Sequence, residues 1–205
     1  MAVSRSAQRA GHSLMKARDS GMPDEEMWAA FFEPGRILTQ LEFEELDRVV
    51  EFGSGYGTFT VAAAARTKDT VVALDIEPAM VEATRRKARA MGLHNVQVVL
   101  RDFVAEGTGL AENSVSHALL FNILHTDQPM DLLREAHRVL RPGGRVGIIH
   151  WNYDANTPRG PALNIRPHPA QCQEWAREAG FELAMPFVDL PPYHYGLVGR
   201  KAGEK

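Results

Sequence analysis

Five short, β-branched runs recur along the middle of the chain: "RVVEF" (48–52), "TVVALDI" (70–76), "VQVVLRDF" (96–103), "VSHALLFNI" (115–123) and "RVGIIHW" (145–151). Runs of this length and composition read as strands. Between them lie segments with helical signatures, "TFTVAAAAR" (58–66), "EPAMVEATRRKARAMG" (77–92) and "PMDLLREAHRVL" (129–140). Pro78 falls in a first turn and Gly92 at a helix end, where each is tolerated, and "RPGG" stops the last helix. Strands that alternate with helices form a parallel sheet with helices on both faces. The ending departs from this rule. A Pro-rich stretch (158–169) precedes a helix (170–180), and then two runs, 181–190 and 193–200, are separated only by Pro191 and Pro192. So short a link cannot cross over to a parallel strand, so these two runs should form an antiparallel hairpin.

The first strand ends in "VVEFGSGYGTFT", which places Gly53, Gly55 and Gly57 on alternate positions behind Glu51. Glycines there let the backbone turn tightly and approach a ligand at the carboxyl edge of the sheet. The spacing differs from the dinucleotide fingerprint G-x-G-x-x-G. Glu51 matters as well: a carboxylate repels a pyrophosphate and attracts an ammonium group. Asp75 ends the second strand, where an acid can accept both ribose hydroxyls. Asp102 ends the third. Three acids and a glycine loop suit a cationic or neutral adenosine ligand better than a polyphosphate. Singly, Glu51 could be an edge charge, Asp102 a helix cap or turn residue, and Phe103 a core residue.

Taken in order, "VVEFGSGYGTFT", "ALDIEP", "LRDF" and "LRPGG" resemble the class I S-adenosylmethionine-dependent methyltransferases of the small-molecule type, over about residues 48–150. The resemblance implies an α/β fold, a Rossmann-like seven-stranded mostly parallel sheet with an antiparallel last strand. It implies S-adenosyl-L-methionine as cofactor and methyl transfer to a small-molecule acceptor. Carried over by position, Glu51 would lie near the methionine ammonium, and Gly53, Gly55 and Gly57 under the methionine and ribose. Asp75, with Ile76 beside it, would hold the ribose, Asp102 and Phe103 would flank the adenine, and Asn122 would lie near the methionine end. The domain division expected is a helical cap or arm (1–47) followed by the methyltransferase domain (48–205).

Many methyl acceptors need a base. His125 follows strand four, His150 closes strand five and His194 opens the last strand, so topology puts three imidazoles on one rim, with Tyr153, Tyr193 and Tyr195 close in sequence. Each could equally be a packed structural histidine. Trp28, Phe31 and Phe32 are candidate acceptor walls or plain helix packing. "DLPPYHY" (189–195) resembles the amine-binding loop of amino-methyltransferases, but that loop follows strand four, where this chain has "FNILHT". "HWNYDANT" (150–157) offers His150, Asn152 and Asp154 but lacks acids near Asn122, so no catalytic metal is expected.

Composition bounds the rest. The 205 residues carry 23 basic and 26 acidic side chains, a net charge of −3, which argues against a nucleic-acid partner. No apolar run approaches the roughly 20 residues of a membrane span. The lone Cys172 excludes an intramolecular disulfide and a Cys-rich metal cage, and a cytoplasmic setting is expected. Residues 1–18 hold Arg5, Arg9, Lys16 and Arg18 and no acid, a composition shared with organelle transit peptides but read here as an arm or capping helix. Two other functions stay open: an NAD-dependent oxidoreductase, and a non-catalytic module that binds an adenosyl cofactor. Sequence does not set the oligomeric state.

Overall fold

The structure is a computed structural model, and it describes residues 22–203. The basic arm of residues 1–18 lies outside the described residues. In chain order the elements are α1 (Glu25–Ala29), α2 (Pro34–Gln40), β1 (Val49–Phe52), α3 (Thr58–Ala64), β2 (Val71–Asp75), α4 (Pro78–Ala90), β3 (Val96–Leu100), α5 (Phe103–Glu106), β4 (Val115–Phe121), α6 (Pro129–Val139), β5 (Leu140–Trp151), a 3₁₀ turn (Leu163–Ile165), α7 (Pro169–Glu178), β6 (Phe181–Leu190) and β7 (His194–Lys201). Seven strands form one sheet in the order β3-β2-β1-β4-β5-β7-β6. β1 to β5 pair in parallel, while β7 runs antiparallel to both β5 and β6. The expected hairpin is therefore present, with Pro191 and Pro192 in its turn.

Alternation along the strands builds a core on each face. Val50, Phe52, Ala118, Leu120, Val146 and Ile148 pack under α6 and α7, through Leu132, Leu133, Ala136, Cys172 and Ala176. Val49, Leu119, Phe121, Ile149 and Trp151 face the other way, onto Phe59 of α3 and onto Phe31, Phe32, Ile37, Leu38 and Leu41. The segment before β1 thus contributes to the main core of the sheet.

Three strand ends differ from the sequence reading. β3 stops at Leu100, because Asp102 caps α5 by accepting from the Ala105 N–H at 3.1 Å. β4 stops at Phe121, because Asn122 turns into the left-handed region at φ +56°. β5 starts earlier, at Leu140, and pairing with β4 jumps from Val115–Leu140 to His117–Arg145. The "RPGG" segment is the bulge that takes up the excess, with Gly143 at φ +74°.

Candidate active site

At the carboxyl ends of β1, β2 and β4 lies a cleft of about 920 Å³, counted out to its mouth. Gly53 (φ +78°) and Gly55 (φ +51°) line it in conformations that side chains rarely adopt. A Cβ at Gly53 would lie 3.8 Å from Ile123 and Phe103, so its constraint is conformational, not steric. Gly57 has another role. It caps α3 at φ +73°, and a Cβ there would come within 3.0–3.1 Å of Thr84, backbone included. Its bareness lets α3 and α4 approach, and it is not in the cleft wall.

Asp75 faces the glycine loop. Its Oδ2 accepts from the Gly55 N–H at 2.8 Å and its Oδ1 from the Glu77 N–H at 2.9 Å. A carboxylate has further lone pairs, so the pinned group can still accept from a diol. Burial raises its pKa. Ile76 and Glu77 line the same cleft. Glu51 is 2% exposed and accepts a bond from the Thr60 hydroxyl. Burial pushes its pKa up to about 8, with the nearby Asp75 adding to the rise. Phe103 closes another side, its ring edge-on to Phe52 at 5.8 Å. Asp102, the third acid of the expected row, is spent on capping α5 and is not in the wall.

A strained residue sits at the end of β4. Asn122 holds its left-handed turn through its N–H, which donates to Ile149 O at 2.8 Å. Neither polar atom of its side-chain amide has a partner among the described residues, and the same is true of Thr58 Oγ1, His125 Nδ1 and Thr126 Oγ1. All four residues line this cleft. Buried polar atoms are nearly always paired, so four unmet side chains on one wall suit a polar ligand. The glycine floor, the pinned carboxylate and Glu51 have the chemistry to hold a polar ligand that carries a diol and an ammonium group.

A second cavity of about 690 Å³ adjoins the first. Met22, Trp28, Asn122 and His125 belong to both, and Pro23, Trp151, Arg159, Gly160 and Pro161 complete the second. The loop that carries the last three is held by one guanidinium. Arg166 donates to Asn152 O at 2.8 Å, Asp154 O at 3.0 Å, Pro161 O at 2.8 Å, Arg159 O at 3.4 Å and Thr157 Oγ1 at 2.7 Å.

The three imidazoles are not equivalent. Only His125 lines the cavities. The ring of His150 lies 5.5 Å from that of His125, nearly perpendicular to it. His150 Nδ1 accepts from the Trp151 N–H at 3.0 Å, which leaves the proton of the neutral ring on Nε2. His194 is buried between Phe32 (4.5 Å) and Trp151 (4.3 Å). Burial lowers all three pKa values, helped by the charge of Arg166, and that of His194 falls to about 3. The rings are neutral near pH 7. Of the aromatics, Trp28 lines both cavities, whereas Phe31 and Phe32 are core residues at 8% exposure. Tyr153 stacks on His168, Tyr193 packs on Phe31, and Tyr195 donates to Pro167 O. Sequence reasoning missed Thr58, Thr126, Trp151 and the Arg159–Pro161 loop. Thr58 directly follows Gly57, and Trp151 directly follows His150, so proximity to the chosen residues was the available signal. Among the described residues no group of three or more His, Cys, Asp or Glu side chains is placed to hold a metal.

Residues 49–144 match a family described as a methyltransferase domain. That stretch is similar to the methyltransferase-domain family, and the fold is that of S-adenosylmethionine-dependent methyltransferases of known structure. Over 105 residues the chain is 36% identical to an uncharacterized methyltransferase of Mycobacterium tuberculosis, covering 51% of this chain and 40% of that protein. In fold, it is similar to a SAM dependent methyltransferase from Aquifex aeolicus, with a TM-score of 0.76, 22% identity, and coverage of 86% of this chain and 93% of that one. It is also similar to a geranyl diphosphate methyltransferase solved in complex with GPP and sinefungin, with a TM-score of 0.67, 18% identity, and coverage of 83% and 79%. The chain spans about half the length, or less, of the curated relatives it matches.

Proposed function

We propose that this protein transfers a methyl group from S-adenosylmethionine to a small-molecule acceptor. The observation that carries the reading is the junction of two cavities at Asn122 and His125. One cavity has the chemistry for an adenosyl amino acid, and the other opens onto the same two side chains. When bound, S-adenosylmethionine supplies an electrophilic methyl group on a sulfonium, which leaves as a neutral thioether.

The residues of the chain then have separable tasks. Gly53 and Gly55 let the backbone pass under the ligand, Asp75 fixes the ribose, and Glu51, ionised by a neighbouring ammonium, fixes the amino acid end. Asn122 orients the methionine end from its strained turn. Trp28, shared by both cavities, excludes water from the junction, where methyl transfer depends on positioning and desolvation. His125 is the base: neutral near pH 7 and unpaired at Nδ1, it takes the proton that the acceptor releases. His150 and His194 support it through packing. The net charge of −3 and the single cysteine support a cytoplasmic protein without a nucleic-acid partner. A fold neighbour named for geranyl diphosphate supports a small acceptor in preference to a macromolecule. Among the described residues no helix is long and apolar enough to cross a membrane.

Titration calorimetry with S-adenosylmethionine, S-adenosylhomocysteine and NAD tests the cofactor half. Binding of the two adenosyl ligands and not NAD is expected, and the reverse overturns the reading. Transfer of labelled methyl groups into a small-metabolite extract tests the acceptor half; label appearing only in protein or nucleic acid would contradict it.

A further inference from the structure

Resting on the methyl-transfer reading, we propose that the second cavity selects a planar, largely apolar acceptor that bears a carboxylate, and that Arg159 is the residue that recognises it. The walls set the shape. Trp28 and Trp151 are among the lining residues, and Met22, Pro23 and Pro161 add apolar surface. Trp151 is fixed in place by Phe31 at 5.3 Å and His194 at 4.3 Å. Gly160 lies against it so closely that a Cβ would meet the indole at 2.8 Å. A rigid slot between such walls favours a flat molecule.

Charge sets the class. Arg159 is the one formally charged side chain in this wall, and no carboxylate lines it among the described residues. The Arg159 guanidinium has no ion-pair partner there either: its contact with Arg166 is through its backbone carbonyl. Arg166 lies behind the loop at 7% exposure and adds a second positive charge, and the acid near it, Asp154, is an exposed residue outside the cavity wall whose Oδ1 accepts from the Asn156 N–H and side-chain amide. Glu51 and Asp75 belong to the other cavity. His125 and Asn122, at the junction, carry no charge near pH 7. An ammonium-bearing acceptor would meet the Arg159 guanidinium, with the charge of Arg166 behind it, and no carboxylate in the wall, whereas a carboxylate would meet a planar donor fork suited to it. The loop is pre-formed by Arg166, so little ordering cost opposes binding. Arg159 lines only the second cavity, so an acid held there keeps its anchoring group away from the atom presented at the junction.

The test compares 4-hydroxybenzoate, 4-hydroxybenzamide and 4-hydroxybenzylamine by calorimetry on protein saturated with S-adenosylhomocysteine. The acid should bind at least about tenfold more tightly than the amide, and the amine most weakly, as expected for a charge-assisted bidentate contact. Arg159→Gln should bring acid and amide within about twofold of each other, with S-adenosylhomocysteine affinity unchanged, and Arg159→Lys should restore part of the preference. Equal binding of acid and amide by the natural protein, a preference that survives in Arg159→Gln, tighter binding of the amine, or no binding of any of the three would each overturn the proposal. Failure of S-adenosylhomocysteine itself to bind would count against the cofactor reading instead. The same acid–amide comparison on ligand-free protein would then still decide the role of Arg159.

Discussion

Glu51 is the residue whose chemistry is most exposed to test. Burial holds its carboxyl at about pKa 8 in the free protein, up from an ordinary 4.5. A ligand ammonium would ionise it, so binding of S-adenosylhomocysteine near pH 7 should release a proton. Calorimetry in buffers of different ionisation enthalpy reads that proton directly, and affinity should climb as pH rises towards about 8. Glu51→Gln should abolish the release and weaken binding by about tenfold. The same shift has a sign for stability. The native state binds more protons than the unfolded chain between pH 4.5 and about 8, so this contribution is complete below pH 4.5 and is lost as pH rises through that window. Denaturant titrations of Glu51→Gln should show a flatter pH profile on the alkaline side. Asp75→Ala should cost at least about tenfold in S-adenosylhomocysteine affinity through lost charge-assisted bonds; unchanged affinity in a folded variant would mean that another group holds the ribose. That Glu51 and Asp75 line the cleft was readable from their positions at strand ends. Which histidine lines it was less so. His150 and His194 do stand at the expected strand ends, but the pleat turns His150 and Trp151 to opposite faces, and aromatic packing claims His194. Strand-end position fixes an edge, not a facing.

At the scale of elements, the order of strands and helices was legible from apolar runs and from prolines at helix starts. The ends were not, because tertiary bonds decide them. β4 stops where Asn122 is pulled into its turn by Ile149 O, and β3 stops where Asp102 caps α5. The glycine loop makes the same point. Its three glycines look alike in sequence, yet Gly53 serves a cleft and Gly57 a helix–helix contact that depends on the distant Thr84. Gly57→Ala should destabilise the fold by about 1–3 kcal/mol, from its left-handed backbone together with the clash at Thr84. Gly53→Ala should cost about 1 kcal/mol, since backbone conformation alone is at issue. Urea denaturation of the two variants compares them, and a larger loss for Gly53→Ala would reverse the assignment.

For the molecule as a whole, the amino end of the sheet is fastened by a buried polar network. Asp47 is 1% exposed and its two carboxylate oxygens accept a bifurcated contact from Arg145 Nη2 at 2.6 and 2.8 Å, with Ser116 Oγ at 2.7 Å, His117 Nδ1 at 3.2 Å and the Glu44 N–H at 2.8 Å. Burial alone would raise its pKa, but the bonds from His117, Glu44 and Ser116 bring it down to about 2. Its contribution is therefore present above the ordinary 3.8 and lost as pH falls towards 2. Arg145→Met leaves a buried carboxylate without its cation and should destabilise the protein by about 3–5 kcal/mol, with acid unfolding moved to higher pH, both readable by circular dichroism. This fastening and the ligand clefts occupy opposite ends of the same strands. Substitutions that reshape the carboxyl end leave this polar anchor intact. A lineage built on this sheet is free to explore new acceptors at one end, because tolerance of each trial change is underwritten at the other.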